Sequence, residues 1–335
     1  MKHALILSGG GFKCAFQVGA YEVLVDKGIT FSAMSGISGG GLNVALMGQD
    51  KHKELHEFWN AAADGVGRII FGPNLGMIQD GRLVPNFNRI KEVGLEGISK
   101  FDIGKAITSS FFKGRDLQRT GQKLFDNLDY ADGILDNTPL INLLKKTIKI
   151  KDFRMPVYTG VTEFTTGLGI ELAVSDFIKD EDCALGFAAS ANMPVIVSNI
   201  PRINTKKGTF RELVDGGLRT VSPIGQIFDT VENTDDEWTF WVVNANSKVL
   251  VPMEDVRRNS VKIGRTLEVL LNQVFNDDLD KTILINKVAK QLGKREVKIN
   301  IIEPSPGLLG STLDCKKETI DQRMDMGRAL ASAYF

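Results

Sequence analysis

The stretch Phe31-Ser32-Ala33-Met34-Ser35-Gly36-Ile37-Ser38-Gly39-Gly40-Gly41-Leu42-Asn43-Val44-Ala45-Leu46-Met47 decides the fold. Phe31–Ser35 reads as a short buried strand, and the apolar run from Leu42 can begin a helix. Between them stands Gly36-Ile37-Ser38-Gly39-Gly40, a Gly-x-Ser-x-Gly sequence in the strand–turn–helix context of a nucleophile elbow. So sharp a turn drives side chains near the serine into collision, and Gly36 and Gly40 remove those side chains. The Ser38 hydroxyl then projects at the end of a sheet, over a helix N-terminus. The unpaired N–H groups and partial positive charge of that helix end favour a developing oxyanion. With 34 glycines in the chain, the pentapeptide alone can arise by chance. The flanking strand and helix give it weight.

Upstream, Gly9-Gly10-Gly11-Phe12-Lys13 follows a strand candidate, His3–Ser8, and opens a helix candidate, Phe12–Lys27, that ends at Gly28. Three glycines at such a turn offer a row of backbone N–H groups to an anion. A phosphate-binding Walker loop is absent, and Cys14 stands where a dinucleotide fingerprint needs its last glycine. With a serine elbow one βα unit later, an oxyanion hole is the economical reading. Lys13 orients that loop, attracts anionic substrate, or is a solvated lysine.

A nucleophilic serine needs a base. The histidines are His3, His52 and His56, so the order Ser…Asp…His is impossible. His52 and His56 are four apart on a helix candidate, Asp50–Ala63. Their order, His-Lys-Glu-Leu-His, is not that of a zinc protease, and a solvated helix face is the better reading. Either Ser38 is not catalytic or its base is a carboxylate. Asp215-Gly216-Gly217 follows the strand-like Glu212-Leu213-Val214, so Asp215 can project from the same sheet edge as Ser38. Asp-Gly-Gly is also an ordinary turn sequence. An aspartate near pKa ~4 is a weak base and would need direct contact with the hydroxyl in a desolvated site.

Strand candidates recur at Pro156–Phe164, Gly169–Val174, Pro194–Asn199, Trp238–Asn244 and Val297–Glu303. Helix candidates lie at Asn137–Lys149, Asp182–Asn192, Asp255–Asn276 and Thr319–Tyr334. This alternation predicts an α/β fold with a mainly parallel sheet. Gly65–Asp132 holds several phenylalanines and no convincing strand. It reads as a helical insertion or lid, with pieces at Gly81–Val93 and Ile103–Phe112. Its aromatics form either a membrane-contacting patch, Phe111 and Phe112 foremost, or a satellite core. Without repeats or linkers, residues 3–330 read as one domain.

Lys plus Arg is 41 and Asp plus Glu is 41, so no basic excess points to nucleic acid. Cys14, Cys183 and Cys315 are too few for a disulfide framework and lack metal spacing; they read as buried free thiols. The apolar run after Met1 is too short for a signal-peptide core, and no window approaches a membrane span. The expected location is cytoplasmic or at a membrane periphery.

These blocks, in this order, resemble the patatin-like phospholipases. The carrying residues are Gly9–Cys14, Gly36–Gly40, Asp215–Gly217 and a further block, Ala189-Ser190-Ala191-Asn192-Met193-Pro194. Asp136-Asn137-Thr138-Pro139-Leu140 and Arg323–Leu330 also look family-like. The resemblance implies a three-layer α/β/α fold with a mixed central sheet and hydrolysis of lipid esters. It implies Ser38 as nucleophile, Asp215 as base, and an oxyanion hole from Gly9, Gly10, Gly11 and Gly39. Lys13, Gly36, Gly40, Gly216 and Gly217 support the motifs, and no metal or organic cofactor is implied. The same dyad would serve an acyltransferase, and a silent lipid-binding module is a further alternative. Cys14 replaces a family glycine, and Asn192 a usual alanine.

Overall fold

The computed structural model describes residues 1–63, 72–74, 76–79, 82–86, 88–89, 133–194, 196–219, 223–232, 236–252, 259–291 and 296–335. The strands are β1 (Lys2–Leu7), β2 (Phe31–Gly36), β3 (Gly72–Pro73), β4 (Gly76–Gln79), β5 (Arg82–Pro85), β6 (Leu135–Asp136), β7 (Val157–Glu163), β8 (Leu168–Ala173), β9 (Ile200–Thr205), β10 (Gly208–Asp215), β11 (Trp238–Val243) and β12 (Lys298–Ile302). The α-helices are α1 (Ala15–Asp26), α2 (Gly39–Met47), α3 (His52–Ala63), α4 (Thr138–Thr147), α5 (Asp180–Ser190), α6 (Gly225–Glu232), α7 (Asn259–Gln291) and α8 (Lys317–Ser332).

The inner strands are apolar on both faces because helices cover both. In β1, Leu5 and Leu7 enter one core while Ala4 and Ile6 enter another; in β11, Trp241 and Val243 oppose Phe240 and Val242 in the same way. The first core also takes side chains from α1, α2, α3, α4, α5 and α8, and the second from α6 and α7. This period-two division makes three layers, α/β/α. The eight-stranded sheet runs β12-β11-β1-β2-β7-β10-β9, with β8 also on β7. Pairs from β12 to β7 are parallel; β7–β8, β7–β10 and β10–β9 are antiparallel. The sheet is thus mixed and mostly parallel.

The registers on β7 position the site. One side of β7 carries β8 along almost its full length. The other side pairs first with β2, Val157 with Met34 and Tyr158 with Ser35, and then with β10, Val161 with Asp215. Since β2 runs parallel to β7 and β10 antiparallel, their C-terminal ends meet head to head beside Gly160. This corrects the expectation that Asp215 leaves the same edge of a parallel sheet as Ser38. The two strands point at each other along one neighbour. A Cβ on Gly160 would lie 2.9 Å from Ile37 Cδ1, and one on Gly216 would lie 2.3 Å from the Gly160 carbonyl oxygen. The junction closes because both residues lack a side chain.

Several elements differ from the sequence reading. Among the described residues of Pro194–Asn199 the pairing is a bridge at Val197, and the strand begins at Ile200. Its hairpin partner β10 starts at Gly208, well before Glu212. Within the expected helical insertion, β4 and β5 pair as a hairpin with Gln79 opposite Arg82. The sequence between them is Asp80-Gly81, a strong hairpin signal that the helical reading overlooked. The rest of Gly81–Val93 beyond residue 89 lies outside the described residues, as do Ile103–Phe112 and the Phe111–Phe112 patch. The helix starting at Asn259 runs on to Gln291, far past Asn276, and α6 was not expected. The Phe12–Lys27 helix opens as a 3-10 turn, Gly11–Cys14, and Gly28 closes it at φ 80°. No helix among the described residues is long and apolar enough to cross a membrane.

Candidate active site

The elbow is strained where its chemistry requires. Ser38 sits at φ 56°, ψ −130°, between the end of β2 and the first turn of α2. A non-glycine residue holds such a conformation only when its surroundings enforce it. A Cβ on Gly36 would lie 2.3 Å from the Gly40 carbonyl oxygen, and one on Gly40 would lie 2.5 Å from the Ser8 carbonyl oxygen. No side chain fits at either position, as the motif reading expected. The Ser38 carbonyl oxygen accepts the Leu42 N–H at 3.1 Å and so starts α2.

A buried polar relay holds the turn from below. The Ser38 N–H donates to Ser190 Oγ at 3.1 Å, and Thr159 Oγ1 lies 2.9 Å from Ser190 Oγ and 2.8 Å from the Gly36 carbonyl oxygen. One proton per hydroxyl satisfies every contact when Ser190 donates to Thr159 and Thr159 to Gly36. Ser190 and Thr159 are fully buried. Both ends of the elbow are thereby tied to α5 and β7. Sequence reasoning quoted Ser190 within a block but gave it no task, and it missed Thr159.

Ser38 Oγ donates to Asp215 Oδ2 at 2.7 Å. The other carboxylate oxygen, Oδ1, accepts the Gly217 N–H at 2.7 Å. The Asp215 backbone is fixed as well: its N–H donates to the Asn192 carbonyl at 2.9 Å, and its carbonyl accepts from Thr162 Oγ1 at 3.1 Å. Asp215 is only 4% exposed. Burial pushes its pKa up to about 6, against the opposing pull of the Ser38 and Gly217 hydrogen bonds. Desolvation disfavours the carboxylate, so this aspartate is a stronger base than one in water.

The glycine loop comes up to Ser38 at Gly9. A Cβ on Gly9 would lie 3.3 Å from Ser38 Cβ. The N–H groups of Gly10, Gly11 and Gly39 find no acceptor among the described residues. Unpaired N–H groups at the starts of helical turns can receive negative charge. The Gly9 carbonyl points elsewhere, accepting Asn246 Nδ2 at 2.9 Å. Lys13 turns toward that same residue, with Nζ 3.4 Å from Asn246 Oδ1. Lys13 therefore engages the loop's support.

The departures from the family pattern have structural places. Cys14 is fully buried, with Sγ 3.6 Å from the Ser8 carbonyl oxygen, and burial pushes its thiol pKa up. Asn192 is buried too; its Nδ2 donates to the Ser198 carbonyl at 2.8 Å, while Oδ1 has no protein partner among the described residues. All three cysteines are buried and unpaired. His52 stacks on Tyr21, and His56 pairs with Glu22. His52 is exposed and His56 half-exposed, as a solvated face expects, and their contacts also tie α3 to α1. A cavity of about 320 Å³ begins at Ile37 and Gly216, the chain neighbours of Ser38 and Asp215, and includes Leu168, Ile170, Glu171 and Arg219.

The model of the family described as patatin-like phospholipase matches residues 5–228, a span that holds Ser38, Asp215 and the glycine loop. The crystal structure of VipD from Legionella pneumophila is similar at 15% sequence identity and a TM-score of 0.37, covering 98% of this chain and 67% of that one. That likeness is too distant to support an assignment. No curated protein matches the chain. From the extent of the family match, this chain belongs to the patatin-like phospholipases.

Proposed function

We propose that the protein is a serine lipid acyl hydrolase, of phospholipase A or lysophospholipase type, working through a Ser38–Asp215 dyad. The observation that carries this reading is the 2.7 Å hydrogen bond from Ser38 Oγ to Asp215 Oδ2. Family membership supports action on lipid esters, and the free donors beside Ser38 support acyl transfer.

In the first half-reaction Ser38 Oγ attacks the ester carbonyl carbon as its proton passes to Asp215 Oδ2. The carbonyl π electrons move onto oxygen, where the Gly10, Gly11 and Gly39 N–H groups receive the charge. Collapse expels the alcohol, which takes the proton from Asp215, and leaves an acyl-enzyme on Ser38. Water then attacks the acyl carbonyl, giving its proton to Asp215. The second collapse releases the acid and returns the proton to Ser38. One carboxyl group serves both steps because its raised pKa lets it take and return a proton near neutral pH. The fixed Gly217 contact holds Oδ2 toward the serine throughout. The 320 Å³ cavity beside Ile37 and Gly216 has the lower-end volume of a ligand pocket and can receive part of the substrate.

The test is mass spectrometry of products from a mixed lipid extract, with wild type beside Ser38→Ala. Free fatty acid and the matching lyso-lipid from wild type only are expected. Acyl chains moved to an added alcohol, with little free acid, would instead make the protein an acyltransferase. No product from either protein would remove the enzymatic reading.

A further inference from the structure

We propose that Asn246, in the loop leaving β11, is a positioning residue that aims the Gly10 N–H at the oxyanion. This rests on the hydrolase reading above. Asn246 lies beyond residues 5–228, the part of the chain that matches the family.

The argument begins with the peptide between Gly9 and Gly10. In a planar trans peptide the C=O and N–H point in opposite directions. The structure has no cis peptide among the described residues. Asn246 Nδ2 holds the Gly9 oxygen at 2.9 Å, so the Gly10 N–H is turned away from Asn246. Contacts show what lies on each side. A Cβ on Gly10 would meet Ala245 Cβ at 2.8 Å and Asn246 Nδ2 at 3.5 Å, whereas one on Gly9 would meet Ser38 Cβ. The N–H directed away from Asn246 is thus available to the serine's side of the loop.

The amide's own orientation is fixed by chemistry. Lysine has only donors, so the atom facing Lys13 Nζ at 3.4 Å must be the oxygen. The nitrogen then faces Gly9. Asn246 is itself braced: its N–H donates to Asn244 Oδ1 at 3.0 Å, and the Ala245 N–H donates to Ser8 Oγ at 2.9 Å. Asn244 is anchored by its own N–H on the Ile302 carbonyl at 2.9 Å. The far end of the glycine loop is held separately. The Phe12 N–H donates to the Thr312 carbonyl at 3.0 Å. The buried guanidinium of Arg323 fixes that segment through the carbonyls of Leu309, Ser311 and Asp314.

Such a clamp has a purpose because consecutive glycines resist few rotations. Inverting the Gly9–Gly10 peptide would exchange N–H for C=O and present an acceptor where a donor is needed. The Asn246 hydrogen bond opposes that inversion. Loss of it should weaken transition-state binding and spare ground-state binding.

The experiment compares wild type, Asn246→Ala and the isosteric Asn246→Asp, which loses the donor and keeps the oxygen facing Lys13. Lys248→Ala, in the same loop but exposed and paired with Asp280, is the control. Readouts are kcat and KM on a soluble ester, and affinity for a trifluoromethyl ketone beside its unactivated methyl ketone. Removal of one oxyanion donor lowers kcat by roughly 10²–10³. For mis-aiming of one donor among three, the expectation is about 10- to 100-fold on kcat and on trifluoromethyl ketone affinity together. KM and methyl ketone affinity should stay within about twofold. If Asn246→Ala does not fold, Asn246→Asp carries the same expectation. Unchanged kcat in either folded variant overturns the proposal, as does equal loss of both ketones. A wild type that forms no Ser38 adduct with the trifluoromethyl ketone overturns the hydrolase reading, and this inference with it. Wild-type adduct formation with unaffected variants overturns this inference alone.

Discussion

Asp215→Asn should abolish turnover and, at the same time, stabilise the protein above pH 6. The reason is the environment of Asp215, which raises its pKa from 3.8 to about 6, with burial as the largest cause. A carboxyl group with a folded pKa above its unfolded value favours folding in its protonated form. Its contribution is fully present below pH 3.8 and is lost as pH rises through about 6. The shift of about two units corresponds to ~3 kcal/mol at about 1.4 kcal/mol per unit. The group is 4% exposed, so solvent screening discounts this little. An asparagine keeps both contacts: its Oδ1 can accept the Gly217 N–H, and its Nδ2 can donate to Ser38 Oγ. It carries no charge to bury. At pH 8 the variant should therefore be more stable by ~1–3 kcal/mol, a rise of roughly 1–4 °C in melting midpoint for a chain of this size. The gain should vanish near pH 4. Thermal melts of wild type and Asp215→Asn from pH 4 to 8, with ester turnover on the same samples, provide the assay. A variant that melts below wild type at pH 8 would refute the desolvation argument. Near-full turnover would refute the assignment of Asp215 as base.

Other outcomes follow from the same geometry. Wild-type kcat/KM should climb about tenfold per pH unit below the Asp215 pKa of about 6 and level off above it, which a pH–rate profile on a soluble ester measures. Gly40→Ala places a Cβ 2.5 Å from the Ser8 carbonyl oxygen. Soluble yield and melting midpoint should both fall, because backbone cannot yield as a side-chain tip can. Ser190→Ala leaves the Ser38 N–H without its 3.1 Å acceptor. A loss of ~1–3 kcal/mol in stability is expected, since a buried donor goes unsatisfied, and chemical denaturation measures it.

The parts of the site legible in the sequence are those whose chemistry is local. Gly36 and Gly40 around Ser38 announce a turn that admits no side chains, and Gly9–Gly11 announce a row of free N–H groups. The alternation of short apolar strand candidates with helix candidates makes the layered α/β arrangement legible too. Asp215 was readable as a strand-end aspartate, but its route to Ser38 was not. That route depends on β9–β10 reversing direction and on two strand ends meeting beside Gly160, which no spacing in the chain encodes. Thr159 and Asn246 act through contacts with residues more than 30 positions away, so they carry no periodic or spacing signature. The β4–β5 hairpin is legible in Asp80-Gly81, although the segment shows no convincing strand pattern.

The central claim is that Ser38 becomes the acyl carrier with Asp215 as its base. Its most direct measurement is peptide mass spectrometry of the protein after a fluorophosphonate, followed across pH in wild type and Asp215→Asn. One adduct per chain is expected, on Ser38, forming faster as pH rises through about 6 and greatly slowed in Asp215→Asn. A lipid-hydrolysing protein that carries its adduct on another residue, or labels equally fast without Asp215, would contradict the claim.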